Sequence, residues 1–429
     1  MPALPAPIRI PDFRLYWLAR FAAVLATMGM VVIIGYQVYD VARSDYGMSI
    51  REASLQLGLL GAAQFVPLAI LTPVAGWVAD RYERRTVARV ANALDMCVAL
   101  TLGWMTANDA LTLPILFAFA ALHGVARVFV GPAMAAIAPN IVPAKILPEA
   151  IAMGSIAWQV GSVCGPAIGG FLYAANPAMP YWVSAGLMAL AILTLTPVRP
   201  VKPPKISGHA HPVRQMIDGL SYVRGHRFLL GAITLDLFAV LLGGVTAMLP
   251  VYARDILQVG ADGLGPLRAA PAAGATLTAI FFSIRPLRTD VGVKMLSAVV
   301  IFGAATAIFG FSTFYPLSLA MLALLGAADM FSVYIRQSLI QLHTPDEMRG
   351  RVAAVSTLAI SASNELGETR SGFTAALLGP VAATVAGGVA AIVVTLIWAG
   401  LFPELRSART FELPDEPPPE EATVIAGGA

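Results

Sequence analysis

Charge is scarce in this chain: Asp, Glu, Lys and Arg make up 12% of its 429 residues, against about 25% in soluble domains. So sparse a set of charges cannot clothe a soluble domain, and most of the surface must face hydrocarbon. Cysteine is scarcer still, with only Cys97 and Cys164, both inside apolar stretches. That excludes a disulfide scaffold and leaves packed free thiols. The sequence also lacks a glycine-rich phosphate loop with its lysine, the spacing of a metal site and a nucleophile triad. ATP-driven work, enzymatic catalysis and a bound cofactor are therefore not expected. The net charge of +3 is small, and the basic residues sit in short loops between helices, which argues against a nucleic-acid surface.

What the chain has in abundance is apolar length. Apolar residues reach 58%, mean hydropathy is +0.75, and runs of about 20 residues recur, the length a helix needs to cross a 30 Å hydrocarbon core. Spans are predicted at 14–40, 54–78, 87–107, 112–136, 149–174, 180–198, 228–252, 265–284, 293–312, 315–339, 351–376 and 380–402. The first is too long for a signal-peptide core and has no small-residue cleavage site, so it reads as a retained span. The fold class is an all-α membrane protein, and the lipid bilayer is its first partner. Loops on one side carry Arg81, Arg84, Arg85, Arg89, Lys145, Arg199, Arg285, Arg288, Arg349 and Arg351. The opposite loops carry chiefly Arg43, Arg51 and Arg254. By the positive-inside rule both termini are cytoplasmic.

The longest interior polar stretch divides the chain near its middle. Residues 1–198 read as one six-helix half, 199–227 as a cytoplasmic linker, 228–402 as a second half and 403–429 as a proline-rich acidic tail too polar to fold. The halves resemble one another. An offset of 202 residues sets Gly124 on Gly326, Pro143 on Pro345, Gly165 on Gly367 and Gly170 on Gly372. Two parallel halves of this kind predict two pseudo-symmetric bundles with a site between them near the midplane.

Two motifs fall in telling places. The loop after the second span runs Gly76-Trp-Val-Ala-Asp80-Arg81-Tyr-Glu-Arg84-Arg85; an ordinary positive-inside loop would explain the arginines but not the glycine and aspartate. The fifth span contains Gly161-Ser-Val-Cys-Gly165-Pro166-Ala-Ile-Gly169-Gly170, where small residues permit close helix packing and proline weakens the helix. The first resembles the signature loop of the major facilitator superfamily, with Glu83 where that family usually has glycine. The second resembles its antiporter motif. Val130-Gly-Pro-Ala133, Leu264-Gly-Pro-Leu-Arg-Ala-Ala-Pro271, Thr344-Pro-Asp-Glu-Met-Arg-Gly-Arg351 and Asn364-Glu-Leu-Gly-Glu368 are similar to the enterobactin-exporter and macrolide-efflux branch. The resemblance covers about residues 12–402 and implies the major facilitator fold. It implies a conformational latch at Gly76, Asp80, Arg81, Arg84 and Arg85, with Asp80 capping a helix of the opposite half, most plausibly the eleventh.

Ionisable groups at mid-bilayer cost roughly 2.5–3.5 kcal/mol each and are functional candidates. His123 and Arg127 lie one turn apart in the fourth span, and the repeat sets Asp329 of the tenth opposite Arg127. A cross-half pair of Arg127 with Asp329 is one reading; partners within each half are the other. Asp236, two turns into the seventh span, is either a buried proton carrier or a capped structural aspartate. Glu365 and Glu368 share a face of the eleventh span, and either share a proton or pair with Arg370 or Arg268. Between Asp236 and Asp329, Asp236 is the favoured carrier if Arg127 holds Asp329 ionised.

The resemblance implies a secondary active transporter of the bacterial inner membrane, working as a monomer by alternating access. It implies proton-coupled export of a small amphipathic organic molecule, siderophore- or drug-like. Proton-coupled uptake and a non-transporting sensor or assembly partner on the same scaffold are the rival readings.

Overall fold

The computed structural model describes residues 6–200, 212–285, 287 and 289–411, and among them there is no strand. The first bundle comprises α1 (Pro11–Ser44), α2 (Ile50–Arg81), α3 (Arg84–Ala107), α4 (Leu113–Ile141), α5 (Leu147–Ala175) and α6 (Met179–Leu195). A short helix, α7 (Pro212–Gly225), leads to the second. That bundle comprises α8 (Arg227–Gly243) with its one-turn continuation α9 (Leu249–Val251), then α10 (Gly260–Ile284), α11 (Val291–Phe311), α12 (Tyr315–Leu342), α13 (Asp346–Leu378) and α14 (Pro380–Leu401). The chain closes on α15 (Pro403–Ser407).

Ten helical stretches among the described residues are long and apolar enough to cross a membrane. The 17-residue α6 and the 33-residue, more charged α13 complete the twelve. Local chemistry sets many boundaries. Proline stands in the first turn of α1, α4, α5, α6, α12 and α14, where its missing N–H costs nothing and its fixed φ suits a helix start. The start of α2 is a capping box: the Ser49 N–H donates to Glu52 at 2.8 Å and the Glu52 N–H returns to Ser49 Oγ at 3.3 Å. Side chains such as Leu193, Ile284, Phe311 and Leu377 stand outward and exposed, as a hydrocarbon-facing surface requires.

Two expectations need correction. The seventh span is not one continuous helix: α8 stops at Gly243, and the chain passes through a 3-10 turn (Thr246–Met248) and α9 into a π turn (Tyr252–Ile256). Adjacent glycines favour the break, and Pro250 has no N–H to continue an α ladder. Ser371 Oγ takes up the freed Gly244 carbonyl at 2.7 Å. The second correction concerns the tail, which is not unfolded at Pro403. Leu405 is fully buried, and the backbone N–H groups of Gly292 and Val291 donate to Ala408 and Arg409 at 2.9 and 3.4 Å. Residues 403–411 thus dock on the start of α11, while the rest of that tail, 412–429, lies outside the described residues, as does the linker stretch 201–211.

The repeat is visible contact by contact. Gly124 of α4 packs on Gln64 of α2, and its counterpart Gly326 of α12 packs on Pro271 of α10. Gly165 of α5 faces Leu25 and Gly29 of α1, while Gly367 of α13 faces Val240 and Leu241 of α8. Gly170 of α5 crosses to Ala261 and Gly265 of α10, and Gly372 of α13 crosses to Ser54 and Gly58 of α2. The pairs α2–α13 and α5–α10 are therefore the two seams between the bundles.

Burial differs between the two ends of the molecule. At the end holding the α1–α2 turn, one core joins both bundles and includes Ile33, Tyr39, Leu57, Tyr181, Tyr252, Leu264 and Phe309. At the other end the core is split. Phe13, Tyr16, Ile137 and Leu195 belong to the first bundle, and Leu229, Ile335, Leu339 and Val352 to the second.

Candidate functional site: a cavity between the bundles

The division of the core leaves space between the halves. A cavity of about 210 Å³ opens among α1, α2, α3, α4, α5 and α13. Its walls are largely apolar, with Val24, Met28, Leu68, Met134 and Trp158, and its polar side chains are Arg20, Thr27, Gln64, Asp95, Arg127 and Glu365. Gln64 also borders a smaller space of about 40 Å³, nearer the shared core, with Arg268 and Glu368 on its wall.

Beyond the small cavity the halves are sealed. Asp255 accepts from Tyr39 at 2.5 Å and from Arg43 at 3.0 Å, while Arg254 pairs with Asp40 at 2.8 Å. The glycine contacts Gly58–Gly372 and Gly170–Gly265 lie at the same end. Lower down the α5–α10 seam, the Gln159 amide donates to the Ala272 carbonyl and Thr276 Oγ1 at 3.0 and 2.7 Å.

The ionisable candidates separate into three groups. Arg127 donates to Gln64 at 3.2 Å and lies 3.8 Å from Glu365 across the cavity. Glu368, one turn on, accepts from Thr246 at 3.0 Å and stands 3.6 Å from Arg268. The two glutamates share a face as expected, but each has its own arginine, and Arg370 turns away to Ser371. His123 does not point with Arg127. It is fully buried and meets Asp95 of α3 at 2.6 Å.

The third group sits within the second bundle. Asp236 binds Arg336 at 2.7 Å, with both side chains buried. Asp329 lines the same narrow space, of about 10 Å³, with Asp236, Phe302 and Ser332. Of the two readings offered for Arg127 and Asp329, the cross-half pair between them is thus not formed. An arginine side chain is long enough to reach across the cavity, whereas the short aspartate stays among α8, α11 and α12. Asp236, not Asp329, has the standing cation.

Sequence reading missed Arg20, Asp95 and Arg336. The signal was available: all three are charges inside apolar spans, and Arg336 follows Asp329 by seven residues, two turns along one face.

The two motifs fare differently. In the fifth-span motif, Gly161, Gly165 and Gly169 face α1, and a Cβ at Gly165 would lie 2.7 Å from the Leu25 carbonyl. Gly170 meets α10, and the Pro166 carbonyl lies against Gly265. In the loop motif, Arg84 donates to Ala136 at 3.1 Å, and Arg85 donates to Thr196 at 3.0 Å and to Val198. Both tie the start of α3 to its own bundle. Arg81 ends α2, Gly76 has open space around it, and the Asp80 side chain lies outside the described residues.

Two helical bundles that share a core at one end only, with a cavity of largely apolar walls and a few ionisable groups between them, match the plan of a secondary transporter whose halves rock about a central site. A family model for the Major Facilitator Superfamily matches residues 17–368, and the chain belongs to that family. It is similar to the Enterobactin exporter EntS of Escherichia coli O1:K1 / APEC, 27% identical over 411 residues and covering 93% of this chain and 94% of that one. The Enterobactin exporter EntS of Shigella boydii serotype 18 is 26% identical over 406 residues with the same coverage. Among solved structures, a bacterial homolog of the human lysosomal transporter Spinster, inward-facing and unoccupied, superposes with a TM-score of 0.71 at 16% identity, covering 92% of this chain and 98% of that chain. A D-xylose-proton symporter gives 0.67 at 14% identity, covering 91% and 98%. The protein is a multi-pass membrane transporter for a small molecule, not an enzyme.

Proposed function

We propose that the chain is a proton-coupled exporter of a small amphipathic organic molecule, siderophore- or drug-like, in the bacterial inner membrane. It works as a monomer with both termini in the cytoplasm. The observation that carries this reading is the cavity at the split end of the core. With the termini inside, that end faces the cytoplasm, where an exported compound would load against an apolar wall. The similarity to enterobactin exporters supports the direction, and the fifth-span glycine motif agrees with it.

In this reading the cycle rocks the bundles about the α2–α13 and α5–α10 seams, and Gly76, Asp80, Arg81, Arg84 and Arg85 latch one of its states. Asp236, Asp329 and Arg336 form the proton site of the second bundle. Two carboxylates beside one cation carry a net negative charge in low dielectric, and a proton on Asp329 removes it. Arg127, Glu365 and Glu368 sense closure across the cavity.

A screen of amphipathic compounds in everted membrane vesicles tests the reading. Accumulation that requires a proton gradient and collapses with an uncoupler is the expected result. Gradient-driven accumulation in right-side-out vesicles alone would make the protein an uptake symporter instead.

A further inference from the structure

We propose that the central cavity selects singly charged organic anions, and that Arg20 binds their carboxylate. The charged side chains bordering this cavity are Arg20, Asp95, Arg127 and Glu365, and all but Arg20 are engaged. Asp95 is buried and meets His123 at 2.6 Å. Glu365 stands 3.8 Å from Arg127, which also donates to Gln64. Arg20 has no ion pair among the described residues, and its hydrogen bond, at 3.0 Å, goes to the neutral Tyr16 hydroxyl. The cavity thus carries a cation that the described residues leave without a counter-charge. A charge inside the membrane is costly to leave unpaired. Water entering the cavity can hydrate the guanidinium, but a carboxylate gives it charge-assisted hydrogen bonds, roughly twice as strong as neutral ones.

The guanidinium is held ready for such a group. The buried Tyr16 hydroxyl donates to the Met134 carbonyl at 3.0 Å and accepts from Arg20 Nη1, so one corner of the fork is pinned toward α4. The edge formed by Nε and Nη2 is left, and Nε has no hydrogen-bond partner among the described residues. That edge presents two parallel N–H groups, the pattern a carboxylate accepts bidentately. Gly154 of α5 lies beside it: a Cβ there would stand 3.8 Å from Arg20 Nε, so glycine leaves the edge room.

The rest of the cavity fits an apolar body. Arg20, Val24 and Met28 recur at every fourth residue of α1 and border the cavity together. They make a stripe about 12 Å long that begins with the cation and continues with apolar side chains. Trp158, one turn after Gly154 on α5, lines the same space and is 48% exposed. A ring system seated against Val24, Met28 and Trp158 has its carboxylate at Arg20. A cation of the same shape sets like charge against the guanidinium, and a neutral analogue forgoes the charge-assisted bonds. This selectivity deepens the export reading and rests on it for the direction of travel, whereas binding of the anion does not.

The test is equilibrium binding with no gradient imposed. Tritiated 1-naphthoate is bound to the full-length protein in phosphatidylcholine nanodiscs, with empty nanodiscs as the blank, and is competed by unlabelled 1-naphthoate, 1-naphthalenemethanol or 1-naphthylmethylammonium. The carboxylate should compete at least about tenfold better than the alcohol and the ammonium. Arg20→Gln should weaken 1-naphthoate by about tenfold and leave the alcohol unchanged, and Arg20→Lys should keep the preference for the anion. The ranking of the three compounds on the unmodified protein needs no variant, so a poorly folding Arg20→Gln does not rescue the proposal. It is overturned by equal competition from the three, by an Arg20→Gln protein that binds 1-naphthoate as before, or by no binding at all. Displacement of 1-naphthoate when phosphatidylglycerol is added to the nanodiscs would assign Arg20 to a lipid headgroup and overturn it likewise. Gradient-driven accumulation of a neutral or cationic compound would leave the export reading standing without this selectivity, and absence of gradient-driven transport would leave the binding preference standing.

Discussion

At the scale of single residues, the second-bundle cluster makes the sharpest demands. Asp236 already has Arg336 at 2.7 Å, while Asp329 has no hydrogen bond or ion pair among the described residues and shares its space with Asp236. Asp329→Asn should therefore abolish gradient-driven accumulation and spare downhill exchange, and measuring both in the same vesicles checks it. Asp236→Asn should lower both modes together, because it strands the buried Arg336. Loss of one partner from a buried pair costs about 3–5 kcal/mol. Arg336→Gln should accordingly lower the thermal unfolding midpoint in detergent, and Asp236→Asn added to it should restore most of the loss; no restoration would mean that Arg336 acts through packing instead. The cost of charge in hydrocarbon made Asp236, Asp329, Arg127, His123, Glu365 and Glu368 legible as a set. Of their partners only Arg268, beside Glu368, was among those named from the sequence; the others were not, because pairing depends on how each helix is rotated and how far each side chain reaches. A periodic alignment of the two halves contains neither.

At the scale of helices, small residues mark the places where backbones touch, and the structure separates those used in this state from those that are not. A Cβ at Gly372 would fall on the Gly58 backbone, and one at Gly170 would lie 2.5 Å from the Ala261 carbonyl. Overpacking of this kind costs about 1–3 kcal/mol, equivalent to roughly 5- to 150-fold in a two-state ratio. Gly372→Ala should thus shift the population away from the sealed end. Spin labels at Arg51→Cys and Leu377→Cys, with Cys97 and Cys164 replaced, would report it as a growing long-distance fraction; an unchanged distribution would show that the seam yields without rocking. Gly76→Ala meets nothing within 4 Å and should leave this distribution as it is. If it lowers transport, the requirement for glycine belongs to another state of the cycle. The helices themselves were readable from apolar runs, and the repeat from matched glycines. The break after Gly243 was not, since a hydropathy run passes over it unchanged, although Gly243-Gly244 and Pro250 were its signals.

At the scale of the molecule, twelve spans and two halves follow from composition and period, but the state of the cycle does not. Which end is sealed depends on small differences between large packing energies, and here the decision rests on one core shared by both bundles and on the ion pairs above it. The orientation implied by the loop arginines places that sealed end outside the cell. Two cysteine probes fix it first: Asp109→Cys, in the turn between α3 and α4, should react with an impermeant thiol reagent added to intact cells, and Arg84→Cys should be shielded. The seal can then be loosened. Asp255 takes hydrogen bonds from Tyr39 and Arg43, two residues of the opposite bundle, and hydrogen bonds to a charged group contribute about 1.5–3 kcal/mol. Asp255→Asn removes the charge with little change of shape. It should raise outside labelling of Val31→Cys, which lines the small cavity beneath the seal, by about tenfold, which corresponds to ~1.4 kcal/mol. Arg84→Cys must remain protected in the same cells, so that leakage is not mistaken for opening. Labelling of Val31→Cys that stays at its original rate would assign the closure to the shared core and not to the ion pairs. The next substitutions would then belong at Leu57 and Leu264, which lie in that core.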